Sequence, residues 1–336
     1  MARVMIGDVC EIVIERGLSA DLLPERSGRE QVVVITQAPV RDHAERVVEA
    51  IGDGSIIEVP DRDRAKTWDV VRDIYDELAE RNVGRGDTLV GVGGGAVTDL
   101  TGFVAATWLR GIESVLVPTT LLGAVDAAIG GKTGINHAGK NLVGAFWHPS
   151  RVHVDLDVLD ALDERLKLEG TAEIVKAGFI ADPRILGEYR ARGAAAHLDV
   201  VVPAAIAVKA EVVSSDFREG GRRAILNFGH TIGHGVEAVT GMPHGFAVSI
   251  GMVAAGAISA VRFGFDSAAM TELLFGLGLP VAAAGTSRQA VLEKVARDKK
   301  RTSDGIRMVL LRSVGDVEVT PVTADELDVG LAAIGI

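Results

Sequence analysis

The chain has 336 residues, 48% of them hydrophobic and 4% aromatic, with a net charge of −11. That length and apolar content imply two domains, and the acidity excludes a non-specific binder of nucleic acid or of anionic membranes. The single cysteine, Cys10, excludes an intrachain disulfide framework, and the acidic residues inside "MARVMIGDVCEIVIERG" exclude a signal peptide, so the expected location is cytoplasmic.

Residues before about 31 and after about 320 carry no pattern beyond ordinary packing. Residues 31–36 are a short β-branched run read as a buried strand, 41–51 have helical spacing, and 55–60 form a second strand. Residues 67–82 make an amphipathic helix with Val70, Ile74, Tyr75 and Leu78 on one face. "DTLVGVGGG" runs from strand into glycine, "ESVLVPTT" is a strand closed by Pro118, and "RVHVDLDVL" is a further strand. Strands alternating with helices imply a parallel sheet covered on both faces, an α/β Rossmann-like arrangement. Past about Asp157 helical patterns dominate, at 164–180, 201–217, 230–239, 247–263 and 287–298, and a strand returns only near Arg307. A boundary near residues 155–159 therefore divides an α/β domain, 1–156, from a mainly α-helical one, 157–336. The most apolar segment, 246–261, is short for a membrane span and rich in Gly, Ala and Ser, so it reads as a buried helix and no membrane partner is expected.

"GVGGGAVTDLTGF" (91–103) sits where a strand hands over to a helix, with Gly91, Gly93 and Ala96 in a loose G-x-G-x-x-A. Bare N–H groups at a helix N-terminus suit a pyrophosphate. The ordinary dinucleotide fingerprint also places an acidic residue about twenty positions on, where "LVPTT" has none. The motif is therefore either a tight turn without ligand or a non-standard nucleotide site. In the glycine-rich loop 118–146, Asp126, Lys132, Lys140 and Asn141 fit capture of a phosphate or carboxylate, or else a solvated loop.

Three of the eight histidines, His230, His234 and His244, fall in one short stretch. His230 and His234 share a helical face, as do Glu173 and Lys176 in "TAEIVKAG". One Glu with two His is a catalytic zinc set that leaves positions open. Gly229, Gly233 and Gly235 lie among these histidines. A glycine inside a helix costs about 1 kcal/mol, so something is expected to pack very closely there. Arg110, Lys132, Lys140, Lys176, Lys209, Arg223, Lys299 and Lys300 fit a multiply anionic substrate, or a scatter of solvated charges.

The segments "GGGAVTDLTGFVAATWLRG", "VPTTLLGAVDAAIGGKTGIN", "GKNLVGAFWHP", "AEIVKAGFI", "VKAEVVSSD", "RAILNFGHTIGH", "HGFAVSIGM" and "DKK", in this order, resemble the 3-dehydroquinate synthase family of the sugar phosphate cyclases. The resemblance implies a dehydroquinate synthase-like fold, an NAD- and zinc- or cobalt-dependent lyase of the shikimate pathway, and a homodimer. It implies conversion of 3-deoxy-D-arabino-heptulosonate 7-phosphate, an anionic sugar phosphate, to 3-dehydroquinate and phosphate. By the same resemblance Glu173, His230 and His244 are the metal ligands. His234 then joins Asp126, Lys132, Lys176 and Asn227 as a catalytic residue. Arg110, Lys140, Asn141, Lys209, Arg223, Lys299 and Lys300 match substrate-binding positions, with Arg110 offered to the partner subunit's site. Gly93, Gly94, Gly95, Asp99, Thr119 and Thr120 match NAD-binding positions, together with Lys66 and Asp63, which stands where the family has Glu. The loops before Lys140 and before His244 are shorter than the family's. Other sugar phosphate cyclases, making 2-deoxy-scyllo-inosose or a valiolone, are rivals, as are metal-dependent polyol dehydrogenases and a catalytically dead homologue. Retention of Arg223, Asn227 and His234 favours a carboxylate-bearing substrate, and the "GGKT" and "GKN" lysines disfavour a dehydrogenase.

Overall fold

The alternating part of the chain builds one seven-stranded sheet. The structure, a computed structural model, describes residues 1–18, 22–24, 31–299 and 305–336. Its strands are β1 (Ala2–Ile6), β2 (Cys10–Glu15), β3 (Val32–Gln37), β4 (Ser55–Val59), β5 (Thr88–Gly93), β6 (Glu113–Pro118) and, after the small antiparallel hairpin β7 (Lys132–Ile135) and β8 (Val143–Phe146), β9 (Arg151–Asp155). The order is β1-β2-β9-β6-β5-β3-β4, parallel throughout except for β1 against β2. Alternate side chains enter two cores. Val32, Val34, Val90, Val92, Val115 and Val117 pack on Ala44 and Val47 of α1 (Arg41–Ile51). Val33, Ile35 and Leu89 pack on α2 (Trp68–Glu80) and α3 (Gly95–Thr107). The buried stripe of α2 is Val71, Ile74 and Leu78, with Val70 and Tyr75 half-buried beside it. The expected face, Val70, Ile74, Tyr75 and Leu78, thus packs on the core, with Val71 added to it.

The antiparallel β1–β2 hairpin comes from residues that gave no readable pattern. The strand expected from "RVHVDLDVL" stops at Asp155, whose carboxylate accepts the Asp157 N–H at 2.9 Å and caps the short helix α4 (Leu156–Asp160).

The chain divides into two units, Met1–Asp163 with Lys209–Arg218, and Glu164–Val208 with Glu219–Ile336. The division falls a few residues beyond the expected 155–159, and 209–218, expected in the helical part, pack with the first unit. The second unit carries α5 (Glu164–Ile180), α6 (Pro183–Arg192), most of α7 (Leu198–Ser215), α8 (His230–Thr240), α9 (His244–Phe263), α10 (Ser267–Gly276), α11 (Arg288–Lys299), the antiparallel hairpin β10 (Arg307–Ser313) and β11 (Asp316–Pro321), and α12 (Ala324–Ala333).

At 20 residues α9 is longer than expected, and by length and composition it is apolar enough to cross a membrane. Most of its residues from Gly245 to Ser259 are buried, packed by α5, α8, α10, α12 and β10, which makes it a core helix. Against α8 its main chain is in contact. A Cβ added to Gly251 would lie 1.8 Å from the Gly229 carbonyl oxygen, and one on Gly233 would lie 2.8 Å from that of Ala247. The close neighbour that Gly229 and Gly233 imply is α9, chiefly its backbone, and for Gly235 it is Val291 and Val295 of α11.

Candidate active site

His230 is the first residue of α8 and His244 the first of α9, where Pro243 at the N-cap starts the helix earlier than its apolar run. Close contact of the two backbones sets the start of α8 against the middle of α9, and the His230 and His244 rings converge, with centroids 5.3 Å apart. The shorter loop before His244 still delivers it. His244 Nε2 lies 3.6 Å and His230 Nε2 3.5 Å from the same oxygen, Glu173 Oε1 on α5. Two ligands sharing one tetrahedral zinc, at about 2.0–2.1 Å each, are separated by about 3.4 Å. Glu173 is 3% exposed, and its Oε1 is buried with no hydrogen-bond partner. A buried carboxylate oxygen left in that state is costly, and a cation between it and the imidazoles removes the cost.

The rings are oriented for this. His230 Nδ1 is 3.1 Å from the Phe228 carbonyl and His244 Nδ1 is 2.9 Å from Glu237 Oε2. Each acceptor holds a proton on Nδ1 and turns Nε2 inward. The ligand atoms of His230, His234 and His244 lie within 4.8 Å of one another, so geometry alone would admit His234 as well. His234 is exposed, however, whereas Glu173 is buried beside His230 and His244.

Charges here are strongly coupled. Burial would push the Glu173 carboxyl up, but the Lys176 ammonium paired with it, then the two imidazoles, hold it well below the usual carboxylate range. Burial, aided by Lys176, pushes His230 down to about 3. Burial opposes a charge on His244 too, yet the carboxylates of Glu173 and Glu237 raise it to about 10.

Arg223 is buried in the 3-10 turn Arg222–Asn227, and Asn227 Nδ2 donates to Glu219 Oε1 at 3.0 Å. In the first unit Lys209 donates to both the carboxylate and the carbonyl of Asp126, within the π-helical turn Gly123–Ala127. Lys132, Lys140 and Asn141 are exposed on and near the β7–β8 hairpin, and Arg110 is exposed on a tight turn where Leu109 and Arg110 have φ of 49° and 69°. Lys299 ends α11 with its side chain outside the described part, and Lys300 lies outside the described residues.

The glycine run performs the expected handover: β5 ends at Gly93, Gly94 is the N-cap, and α3 begins at Gly95. No side chain caps α3 and the Val97 N–H goes to the Gly94 carbonyl, which leaves the N–H groups of Gly95 and Ala96 for an anion. A Cβ on Gly93 would strike Val97 Cγ2 at 2.5 Å, so only glycine permits so tight a turn. Thr119 donates its N–H to the Gly93 carbonyl at 2.9 Å while its Oγ1 is buried without a hydrogen bond, and Thr120 Oγ1 accepts from Gly123. Buried Lys66 pairs with Asp99 Oδ2 at 2.5 Å and also donates to Asn141 Oδ1. Burial raises Asp99 to about 6 against the pull of Lys66. Asp63 and Lys140 form an exposed pair at 3.7 Å, of a kind worth little.

Two residues escaped the sequence reading. Glu237 lies seven residues after His230 on the same helical face, a signal that spacing offered. Glu219, with φ of 58°, holds Asn227, and no local pattern marks it.

Residues 56–169 match the family model of the 3-dehydroquinate synthase N-terminal part and 170–301 that of the C-terminal part. A 3-dehydroquinate synthase of Corynebacterium diphtheriae is 43% identical over 325 residues, spanning 91% of this chain and 90% of that protein. The chain belongs to the 3-dehydroquinate synthase family. Solved structures similar to this family member include 2-deoxy-scyllo-inosose synthase complexed with carbaglucose-6-phosphate, NAD+ and Co2+, with a TM-score of 0.87, 25% identity, and 98% and 99% of the two chains covered. Another is the 2-epi-5-epi-valiolone synthase ValA of Streptomyces hygroscopicus with NAD+ and Zn2+ bound, with a TM-score of 0.86, 25% identity, and 99% of each chain covered. The dehydroquinate synthase-like fold, a Rossmann-like α/β part followed by a mainly helical one, is as expected from the sequence.

Proposed function

We propose that this member of the 3-dehydroquinate synthase family converts 3-deoxy-D-arabino-heptulosonate 7-phosphate to 3-dehydroquinate and phosphate, with NAD and Zn2+ or Co2+. The observation that carries the reading is the buried, unbonded Glu173 Oε1 facing two imidazole Nε2 atoms. Identity supports the synthase over its sister cyclases: 43% to the former against 25% to the inosose and valiolone synthases.

On this reading the first unit holds NAD along the start of α3, with Gly93, Gly94, Gly95, Asp99, Thr119, Thr120, Lys66 and Asp63. The second holds the metal on Glu173, His230 and His244. When bound, the metal polarises a substrate hydroxyl and NAD accepts and later returns a hydride. The protein supplies the rest. Lys176 keeps Glu173 ionised and offers an ammonium to developing negative oxygen. Arg223 takes the substrate carboxylate in a bidentate grip. Asn227, oriented by Glu219, donates to an oxygen of the ring. His234, on the exposed edge of α8, exchanges a proton near the phosphate. By the family resemblance Lys132, Lys140, Asn141 and Lys209, with Asp126 aiming Lys209, bind the anionic groups, as do Lys299 and Lys300. These charges absorb the leaving phosphate during β-elimination, before the internal aldol closure. The protein works in the cytoplasm as a homodimer, in which Arg110, on its exposed turn, serves the partner subunit's site.

The test is turnover. Incubation with the heptulosonate phosphate, NAD+ and Zn2+ should release phosphate and give the absorbance of dehydroquinate without net NADH. Steady NADH accumulation would make the protein a dehydrogenase. Turnover with glucose 6-phosphate or sedoheptulose 7-phosphate alone would move it to a sister activity. Light scattering of the purified protein checks the dimer.

A further inference from the structure

Glu237 belongs to none of the ligand, substrate or cofactor sets above. It projects from the same face of α8 as His230 and His234, and its Oε2 lies 2.9 Å from His244 Nδ1. Its side chain is 13% exposed and that of His244 is 27% exposed. The histidine it touches stands on the next helix, so α8 contributes one imidazole directly and orients the other through a carboxylate. An imidazole whose Nδ1 proton is held by a carboxylate has one tautomer and one ring orientation, and its Nε2 is more basic. The Nε2 so presented is the atom that lies 3.6 Å from Glu173 Oε1. His230 achieves the same with a backbone carbonyl, which carries no net charge. The two imidazoles are therefore not equivalent.

We propose that Glu237 is a positioning residue for the metal: it locks His244 with Nε2 turned to Glu173 and strengthens that nitrogen as a donor. The proposal rests on the assignment of His244 as a ligand. The experiment measures Co2+ affinity of the metal-free, full-length protein by competition with a chromophoric chelator, and records the visible spectrum of bound Co2+. The variants are Glu237→Gln, Glu237→Ala and Glu237→Asp, with His244→Ala as reference. Glu237→Gln keeps the shape and an acceptor oxygen but removes the charge, so it reports on the carboxylate even where Glu237→Ala folds poorly.

Second-sphere losses of this kind weaken metal binding by about 10–100-fold. That loss is expected for Glu237→Ala and a smaller one for Glu237→Gln. An altered Co2+ spectrum is expected in both, with partial recovery in Glu237→Asp. A purely structural role would lower the melting temperature of the metal-free protein and leave affinity and spectrum unchanged, which overturns the proposal. If His244→Ala binds Co2+ as tightly as the parent, the ligand assignment itself falls, and the role of Glu237 with it. If His244→Ala loses binding while Glu237→Gln and Glu237→Ala do not, only the role of Glu237 falls.

Discussion

Gly251→Ala tests whether main-chain contact between α8 and α9 sets the metal site. The new Cβ would sit 1.8 Å from the Gly229 carbonyl oxygen and 2.8 Å from Gly233 N. Carbon and carbonyl oxygen approach to about 3.3 Å in ordinary contacts, so the helices must part by roughly 1.5 Å. Both obstructing atoms are main chain, and no side-chain rotation relieves the clash. Overpacking of this kind costs about 1–3 kcal/mol, here at the upper end. At 2–4 °C per kcal/mol, this lowers the melting temperature by about 5–10 °C. Metal-ligand distances tolerate only about 0.2 Å, so His244 would leave the reach of an ion held by Glu173 and His230. Gly187→Ala is the control. Gly187 lies inside α6 with no heavy atom within 4 Å of an added Cβ, and the change should stabilise by about 0.5–1 kcal/mol. Melting by differential scanning fluorimetry and Co2+ affinity by chelator competition report on both. A Gly251→Ala protein with parental melting and parental affinity would refute the reasoning.

Because Glu173 and Glu237 raise metal-free His244 to about 10, zinc must displace its proton: titration calorimetry at pH 8 in two buffers of different ionisation enthalpy should find about one proton released, and none would be contrary. The same raised pKa stabilises the metal-free fold fully below the unfolded histidine value, so its urea midpoint should decline as pH rises from about 6.5 towards 10. His153 has the opposite sign: it is fully buried, neither ring nitrogen makes a hydrogen bond, and burial pushes it down. Unfolded chains bind its proton below about pH 6.5 and the native state resists it, so stability falls as pH drops. His153→Phe should flatten that acid limb in urea titrations at pH 7 to 5, and an unaltered slope would count against the assignment. Cys10, buried and pushed up to about 12 by burial and then by Glu11, should resist iodoacetamide in the native protein and react in urea; rapid native alkylation read by mass spectrometry would contradict this.

Elements whose signal is local were legible. The β-branched runs at β3 to β6, the amphipathic spacing of α2 and the full extent of α5 follow from period and length. The β1–β2 hairpin is hidden because "CEIVIE" carries two acidic residues, and Glu11 is accommodated by Arg3 and by Arg151, which is 140 positions away. No local window sees such a pair. The start of α9 is not legible because "HGF" carries no apolar period, and the helix begins there on the strength of Pro243 and the packing of Gly245 on the Glu169 backbone. Of the proposed metal set, His230 and His244 are visible in the sequence as clustered histidines. The choice of Glu173 over His234 came from family resemblance, since spacing put His234 on the face of His230. Depth makes the difference: Glu173 is 3% exposed, and burial is a property of the folded chain. The α8 glycines pointed correctly to close approach, but not to what approaches.

Both imidazoles stand at helix beginnings, His230 at the first residue of α8 and His244 at the first of α9. Aligned peptide dipoles place about half an elementary positive charge at each such end, and helix side chains lean in that direction. Each imidazole therefore springs from a positive helix end, and Glu173, whose Oε1 faces both Nε2 atoms, and Glu237, against His244 Nδ1, offset that charge. For a hydroxyl the same field acts the other way: brought beside the two Nε2 atoms, it gives up its proton more readily than in water. Reversing one carboxylate to its amide would thus sharpen acidity while loosening the ion, a trade that sets how much negative charge this pocket can carry.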